Sequence, residues 1–289
     1  MFKVRRVLAF ALLGAFLLTV SRGIAAAEVR RHTLLSGTRF ATELVEIDSG
    51  NPGPTVWVSG GVHGSELAGW QAAEQIARWR ISRGRLVVVP HANKPAVQQQ
   101  LRSAKGDPDL NRQFPKAAGQ KPKGTLATGL WDALQRFQPD WVFDLHEALG
   151  NRNLSKDSVG QTIIVHPRGD MPSLAAQVVR RVNETLTGNR SFQVIRNPVH
   201  GSLAHGAGQV LGKNAAIVET SRMYALKDRV QWHLMIMRYV LEALGMGPQT
   251  ASSGGFQAGP QVAGPEVVAR LAAPRVAVRQ FGAPVATAA

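Results

Sequence analysis

The chain has 289 residues, no cysteine and a formal charge of +15 at pH 7. The missing cysteines exclude disulfide stapling, thiolate metal ligands and a thiol nucleophile, and the length suits one large domain or two small ones. The positive balance attracts anions, but no zinc finger, RNA-binding signature or run of interleaved aromatics accompanies it. The expected partner is therefore an acidic small substrate or an anionic envelope polymer, not nucleic acid.

Lys3, Arg5 and Arg6 precede an apolar run from Val7 to Val20, and Ala25-Ala-Ala27 offers a small-residue cleavage site before Glu28. That layout reads as a secretory signal peptide over residues 1–27, too short and wrongly flanked for a membrane span. It places the mature chain in the periplasm or outside the cell, with no stable membrane span after cleavage. Without its four basic residues the charge is +11, since no acidic residue precedes Glu28.

Val29 to Ile47 alternates polar and apolar positions, which predicts one or two edge strands. Val56 to Val58 is an apolar run expected to be a buried strand. It breaks at Gly60-Gly61, and His63 and Glu66 follow before a helix predicted over Leu67 to Trp79. Arg85 to Pro90 is the next strand, stopped by a proline that cannot donate to a ladder. Strand, helix and strand within about 35 residues imply a parallel crossover. Pro95 to Leu101 reads as a short helix, and Arg102 to Pro115 as a loop dense in polar groups. A basic stretch from Lys116 to Lys123 has no evident structure. Thr125 is the expected cap of a helix through Leu130, Leu134 and Phe137.

Trp141 to Glu147 is the third core strand. Its period of two puts Asp144 and His146 on one face and Glu147 on the other. A carboxylate beside a ligand imidazole can orient the ring and raise its basicity. Thr162 to Pro167 is a fourth strand, and Ser173 to Leu186 an amphipathic helix with Leu174, Val178, Val182 and Leu186 on one stripe. Gly188 to Lys213 reads mostly as loop. Ala215 to Ser221 is a fifth strand carrying a lone carboxylate, Glu219, and Arg222 to Leu244 a long helix. From residue 246 to 289 the composition shifts to Gly, Ala, Pro, Ser, Gln and Val, a low-complexity tail expected to be disordered. The folded domain is thus expected over residues 28–245.

Four pieces now stand in order: His63-x-x-Glu66, Asp109-Leu-Asn-Arg-x-Phe-Pro115, Asp144-Leu-His146 and Glu219. Together they resemble the zinc carboxypeptidase family, including its aspartoacylase and succinylglutamate desuccinylase branch, over about residues 55 to 245. The resemblance implies a mixed, largely parallel α/β sheet flanked by helices on both faces. It implies one zinc ion per chain held by His63, Glu66 and His146, three ligands that leave a fourth position open. It makes Glu219 the general base, Asn111 and Arg112 the pair that binds a substrate carboxylate, and Arg102 the group that steadies the oxyanion.

There are departures from the family pattern. Many of its peptidases carry a tyrosine before the catalytic glutamate, whereas Tyr224 and Tyr239 both follow Glu219, and the segment before it holds His200 and His205 instead. The family's deacylases often add a β-domain after that glutamate, where a helix and a tail stand here. The resulting expectation is a secreted or periplasmic zinc hydrolase that cleaves an amide in a peptide or peptide-like substrate with a free carboxylate, cell-wall peptides included. An N-acyl amino acid deacylase and a non-catalytic envelope-binding protein are the alternatives. Residues 185 to 218 contain Arg190, Arg196 and Lys213 and no Asp or Glu. An unpaired buried charge is costly, so the groups near the cleaved bond are expected to be acidic or neutral.

Overall fold

The computed structural model describes residues 27–247. The expected signal peptide before residue 27 and the expected low-complexity tail from residue 248 lie outside the described residues. The chain runs β1 (Glu28–Leu34), β2 (Thr42–Asp48), β3 (Thr55–Gly60), α1 (Leu67–Ile76), β4 (Arg85–Val89), α2 (Lys94–Gln99), α3 (Gly124–Phe137), β5 (Trp141–Ala148), β6 (Thr162–Val165), α4 (Met171–Asn183), β7 (Gln193–Arg196), α5 (Leu203–Gln209), β8 (Asn214–Ser221) and α6 (Leu226–Ala243).

The eight strands form one sheet in the order β1-β2-β4-β3-β5-β8-β6-β7. Its centre, β4-β3-β5-β8, is parallel. The β1–β2, β2–β4 and β6–β8 pairings are antiparallel, and β7 returns parallel to β6. The central strands β3, β5 and β8 are buried along nearly their whole length. Their side chains alternate between two apolar layers. Val56, Val58, Phe143, Leu145, Ala216 and Val218 pack under α1, α4 and α6. Trp57, Val142, Ala215 and Ile217 pack under α3 and α5. The mixed sheet with helices on both faces is therefore the expected one.

Three local readings change. Thr125 sits inside α3, whose N-cap is Lys123 with no side-chain cap bond. Gly124, with φ +75, opens the helix in place of a capping hydroxyl. The stretch from Gly188 to Lys213 holds β7 and α5 as well as loop, because strand pairing with β6 and packing on β8 supply order that a short glycine-rich sequence does not signal. At the other end the domain continues through Met246, which is fully buried, and Gly247, whose carbonyl accepts from Ser82 N–H at 3.1 Å.

One close approach sets the position of α1. A Cβ on Gly69 would lie 2.4 Å from the Leu145 carbonyl oxygen, so only glycine lets the first turn of α1 rest on β5 beside His146. Gly69→Ala is expected to destabilise the fold by roughly 1–3 kcal/mol through overpacking. Urea unfolding monitored by circular dichroism reads this directly, and an unchanged midpoint would show that α1 can shift at no cost.

Candidate metal centre

Three side chains converge where β3 and β5 end. His63 follows β3, Glu66 is the N-cap residue of α1, and His146 lies near the end of β5. All three are buried, and one ligand atom from each lies within 4.8 Å of the others. The Glu66 carboxylate faces both imidazoles, with Oε1 at 2.7 Å from His63 Nδ1 and Oε2 at 2.7 Å from His146 Nδ1.

The outer nitrogens are held as well. His63 Nε2 lies 2.9 Å from Asp109, and His146 Nε2 lies 2.9 Å from Asp144. Ser59 donates to the other oxygen of Asp144 at 2.7 Å. Each imidazole therefore has a carboxylate on its outer edge, which turns Nδ1 inward toward Glu66. Burial alone would raise the Glu66 carboxyl, but His146 and His63 together hold it far below the usual carboxylate range. Burial likewise opposes Asp109, and His63 and Arg102 overcome it and lower its pKa. For His146, burial disfavours the charged ring while Asp144 and Glu66 raise its pKa well above the ordinary value.

These residues fit a divalent cation. Two inward nitrogens and a carboxylate are nitrogen and oxygen donors of the kind zinc takes. Asp144 and Asp109 on the outer ring nitrogens add negative charge around them, which a bound cation offsets.

Glu219 pairs in register with His146 on the adjacent strand β8, so the two share a face of the sheet. It is buried, its Oε2 has no hydrogen-bond partner, and burial pushes its carboxyl up to about 8 against the pull of His146. Arg102 hydrogen bonds Asp109 at 3.0 and 3.2 Å and lies 3.6 Å from Glu66. Asn111 is buried with Oδ1 unpartnered, and the half-exposed Arg112 guanidinium donates to the Asn111 carbonyl at 2.8 Å. The tertiary structure thus gathers His63, Glu66, His146 and Arg102 into one cluster, sets Glu219 beside it, and places Asn111 and Arg112 on the turn that Asp109 begins.

Glu147 points to the opposite face, as its position in the strand predicts. It accepts from Ala68 N–H at 3.0 Å and forms an ion pair with Arg229 of α6. Because the Glu66 side chain is engaged by the imidazoles, α1 has no side-chain cap of its own, and Glu147 satisfies one of its free N–H groups from outside. Sequence reasoning missed Arg229 and Ser59 as supports, and it gave Asp109 no role. A serine in an otherwise apolar strand was the available signal for Ser59, which pairs in register with Asp144.

Comparison with known proteins finds a family match over part of the chain. Residues 52–162 match the Succinylglutamate desuccinylase/Aspartoacylase catalytic domain. Over 109 residues the chain is 34% identical to the N-alpha-acetyl-L-2,4-diaminobutyric acid deacetylase of Halomonas elongata, a match covering 35% of this chain and 30% of the relative. Among solved structures, tripeptide-bound Csd4, a cell shape determinant of Helicobacter pylori, superposes with a TM-score of 0.61 at 20% identity, over 71% of this chain and 56% of Csd4. A succinylglutamate desuccinylase from a Silicibacter species gives 0.57 at 19% identity, over 83% and 72%. At these identities the two structures share the fold. The chain spans less than a third of the deacetylase and just over half of Csd4.

Asp109→Asn and Asp144→Asn are each expected to weaken zinc binding about 10–100-fold, because each removes an outer carboxylate from an imidazole. Competition against a chromogenic chelator measures this. The His63→Ala, His146→Ala double variant is expected to retain no stoichiometric zinc, and stoichiometric retention would exclude this donor set.

Proposed function

We propose that the protein is a zinc-dependent amide hydrolase, a reading supported by the match of residues 52–162 to the succinylglutamate desuccinylase/aspartoacylase catalytic domain. Its substrate in this reading is a peptide or peptide-like molecule with a free carboxylate, cut outside the cytoplasm. The observation that carries the reading is the placement of Glu219. A buried carboxylate with a free oxygen stands one strand from a buried His-Glu-His donor set, on the same face.

In this reading His63, Glu66 and His146 hold the zinc ion, which supplies Lewis acidity toward a carbonyl and acidifies water. Glu219 takes a proton from the attacking water and later delivers it to the leaving nitrogen. Arg102 steadies the negative charge that develops on the carbonyl oxygen. Arg112 holds the substrate carboxylate through its planar fork, and Asn111 directs its unpartnered Oδ1 to a donor on the substrate. Asp109 orients His63 and also meets Arg102, so one carboxylate aligns a ligand and the oxyanion group together.

The family match and the Halomonas deacetylase favour a second reading, deacylation of an N-acyl amino acid. It uses the same residues and differs in the group on the acyl side. Export rests on the basic and apolar N-terminal stretch. Periplasmic fractionation of the full chain tests it.

Glu219→Gln keeps the shape of the side chain and cannot take the proton. It is expected to retain zinc and to lose roughly 10²–10⁴-fold in kcat on whichever amide is cleaved. A panel of C-terminal dipeptides and N-acyl amino acids separates the two readings, and near-normal turnover of the variant would remove Glu219 from its role.

A further inference from the structure

Helix α6 buries Val230, Ile236, Met237 and Val240 in the apolar layer that it shares with α1 and the sheet. Two polar side chains interrupt that layer. Arg229 and His233 stand four residues apart, so they share one face of the helix. The Arg229 side chain is 11% exposed, and His233 is fully buried. Arg229 pairs with Oε1 of Glu147 on β5. His233 Nε2 meets Thr220 Oγ1 on β8 at 3.2 Å.

The two strand residues that α6 holds are related. Glu147 and Thr220 are register partners on adjacent strands, one step beyond the partners His146 and Glu219. Strand alternation turns His146 and Glu219 to one face and Glu147 and Thr220 to the other. Arg229 and His233 therefore grip the sheet directly behind the donor set and the candidate base. The Arg229 arm reaches further. Glu147 Oε2 accepts from Ala68 N–H in the first turn of α1 at 3.0 Å, and the Glu147 N–H donates to Glu66 Oε2 at 3.0 Å. One residue of β5 thus joins α6 to the start of α1 and to the Glu66 carboxylate.

Stability alone does not account for these two arms. Arg229 Nε and His233 Nδ1 are buried without hydrogen-bond partners, and an unsatisfied buried polar group costs about 1–3 kcal/mol. Apolar side chains of similar volume often match or exceed a buried ion pair in stability. The apolar residues on the rest of this face would therefore secure α6 at lower cost. Directional contacts supply what apolar packing does not, because they depend on both distance and angle. Here they fix where Glu147 and Thr220 sit along their strands.

We propose that Arg229 and His233 are positioning residues, a two-armed brace on α6 that sets the metal donor set and its base from behind the sheet. Arg229 acts through Glu147 on Glu66 and so on the metal donors. His233 acts through Thr220 on Glu219. The two arms have different signatures: the first governs metal affinity and ligand geometry, and the second governs turnover with the metal held as before. The proposal rests on the functional reading above, and the measurements below separate the two.

Variants of the full protein test each arm. The Glu147→Gln, Arg229→Met pair removes both charges together, so neither is left unmatched in the interior. It is expected to bind zinc about 10–100-fold more weakly by chelator competition, and to shift the visible spectrum of the cobalt(II) form. Arg229→Lys keeps the ion pair and is expected to restore most of the affinity. Thr220→Val removes the hydroxyl and keeps the shape. It is expected to retain zinc and KM and to lose about tenfold or more in kcat, since a misplacement of about 1 Å can cost 10²-fold. It reads the brace even where the paired variant does not fold. Val240→Ala loosens α6 without touching either arm and is the control for a purely structural effect. The imidazole ¹⁵N shifts of His63 and His146 in metal-free protein give a readout that needs neither zinc nor turnover, and they are expected to move in the paired variant and not in the control. Normal zinc affinity, spectrum and kcat in the brace variants, or changes no larger than those of the control, would overturn the brace and leave the hydrolase reading standing. Ring shifts that move as expected in a protein that binds no zinc and cleaves no amide would overturn the hydrolase and leave the brace.

Discussion

Much of this structure depends on the Glu66 carboxylate, which sits between two imidazole nitrogens at 2.7 Å each with almost no exposure to water. Such a charge is expensive to bury unless its partners are fixed. Here they are fixed from outside the cluster. Asp109 and Asp144 hold the outer ring nitrogens, Ser59 holds Asp144, and the Glu147 N–H donates to Glu66 at 3.0 Å. Glu66 is also the residue at which α1 begins, so the helix start and the donor set are positioned together.

That arrangement leaves α1 without a cap, and the sheet compensates from its other face. The alternation of β5 sends His146 toward α3 and α5 and Glu147 toward α1 and α6. Glu147 then accepts from Ala68 N–H and pairs with Arg229. Adjacent residues of one strand therefore have separate tasks. One belongs to the donor set, and the other secures the helix that brings Glu66 to it. The same alternation on β8 keeps Glu219 on the His146 face and turns Thr220 to the opposite layer, where its hydroxyl meets the buried His233 at 3.2 Å.

Charge is arranged in two zones. The interior cluster is rich in carboxylates and suits a cation. Arg102 and Arg112 stand at its edge with their side chains about half exposed. The two exposed guanidiniums thus border a carboxylate-rich centre.

The sequence by itself determined the order of the strands along the chain, the face on which Asp144 and His146 lie, and the opposite direction of Glu147. Those follow from periodicity, which needs only neighbouring residues. It also supplied the four motif pieces whose resemblance pointed to this fold and to the donor set. It did not reveal β7 or α5, whose short glycine-containing sequences are ordered by pairing and packing with distant strands. Only the tertiary structure decided that Asp109 holds His63, that Arg229 supports Glu147, and that His166 and His205 meet. Each of those contacts joins residues 39 to 82 positions apart. Such pairs are set by strand order and helix packing, which local sequence patterns do not encode.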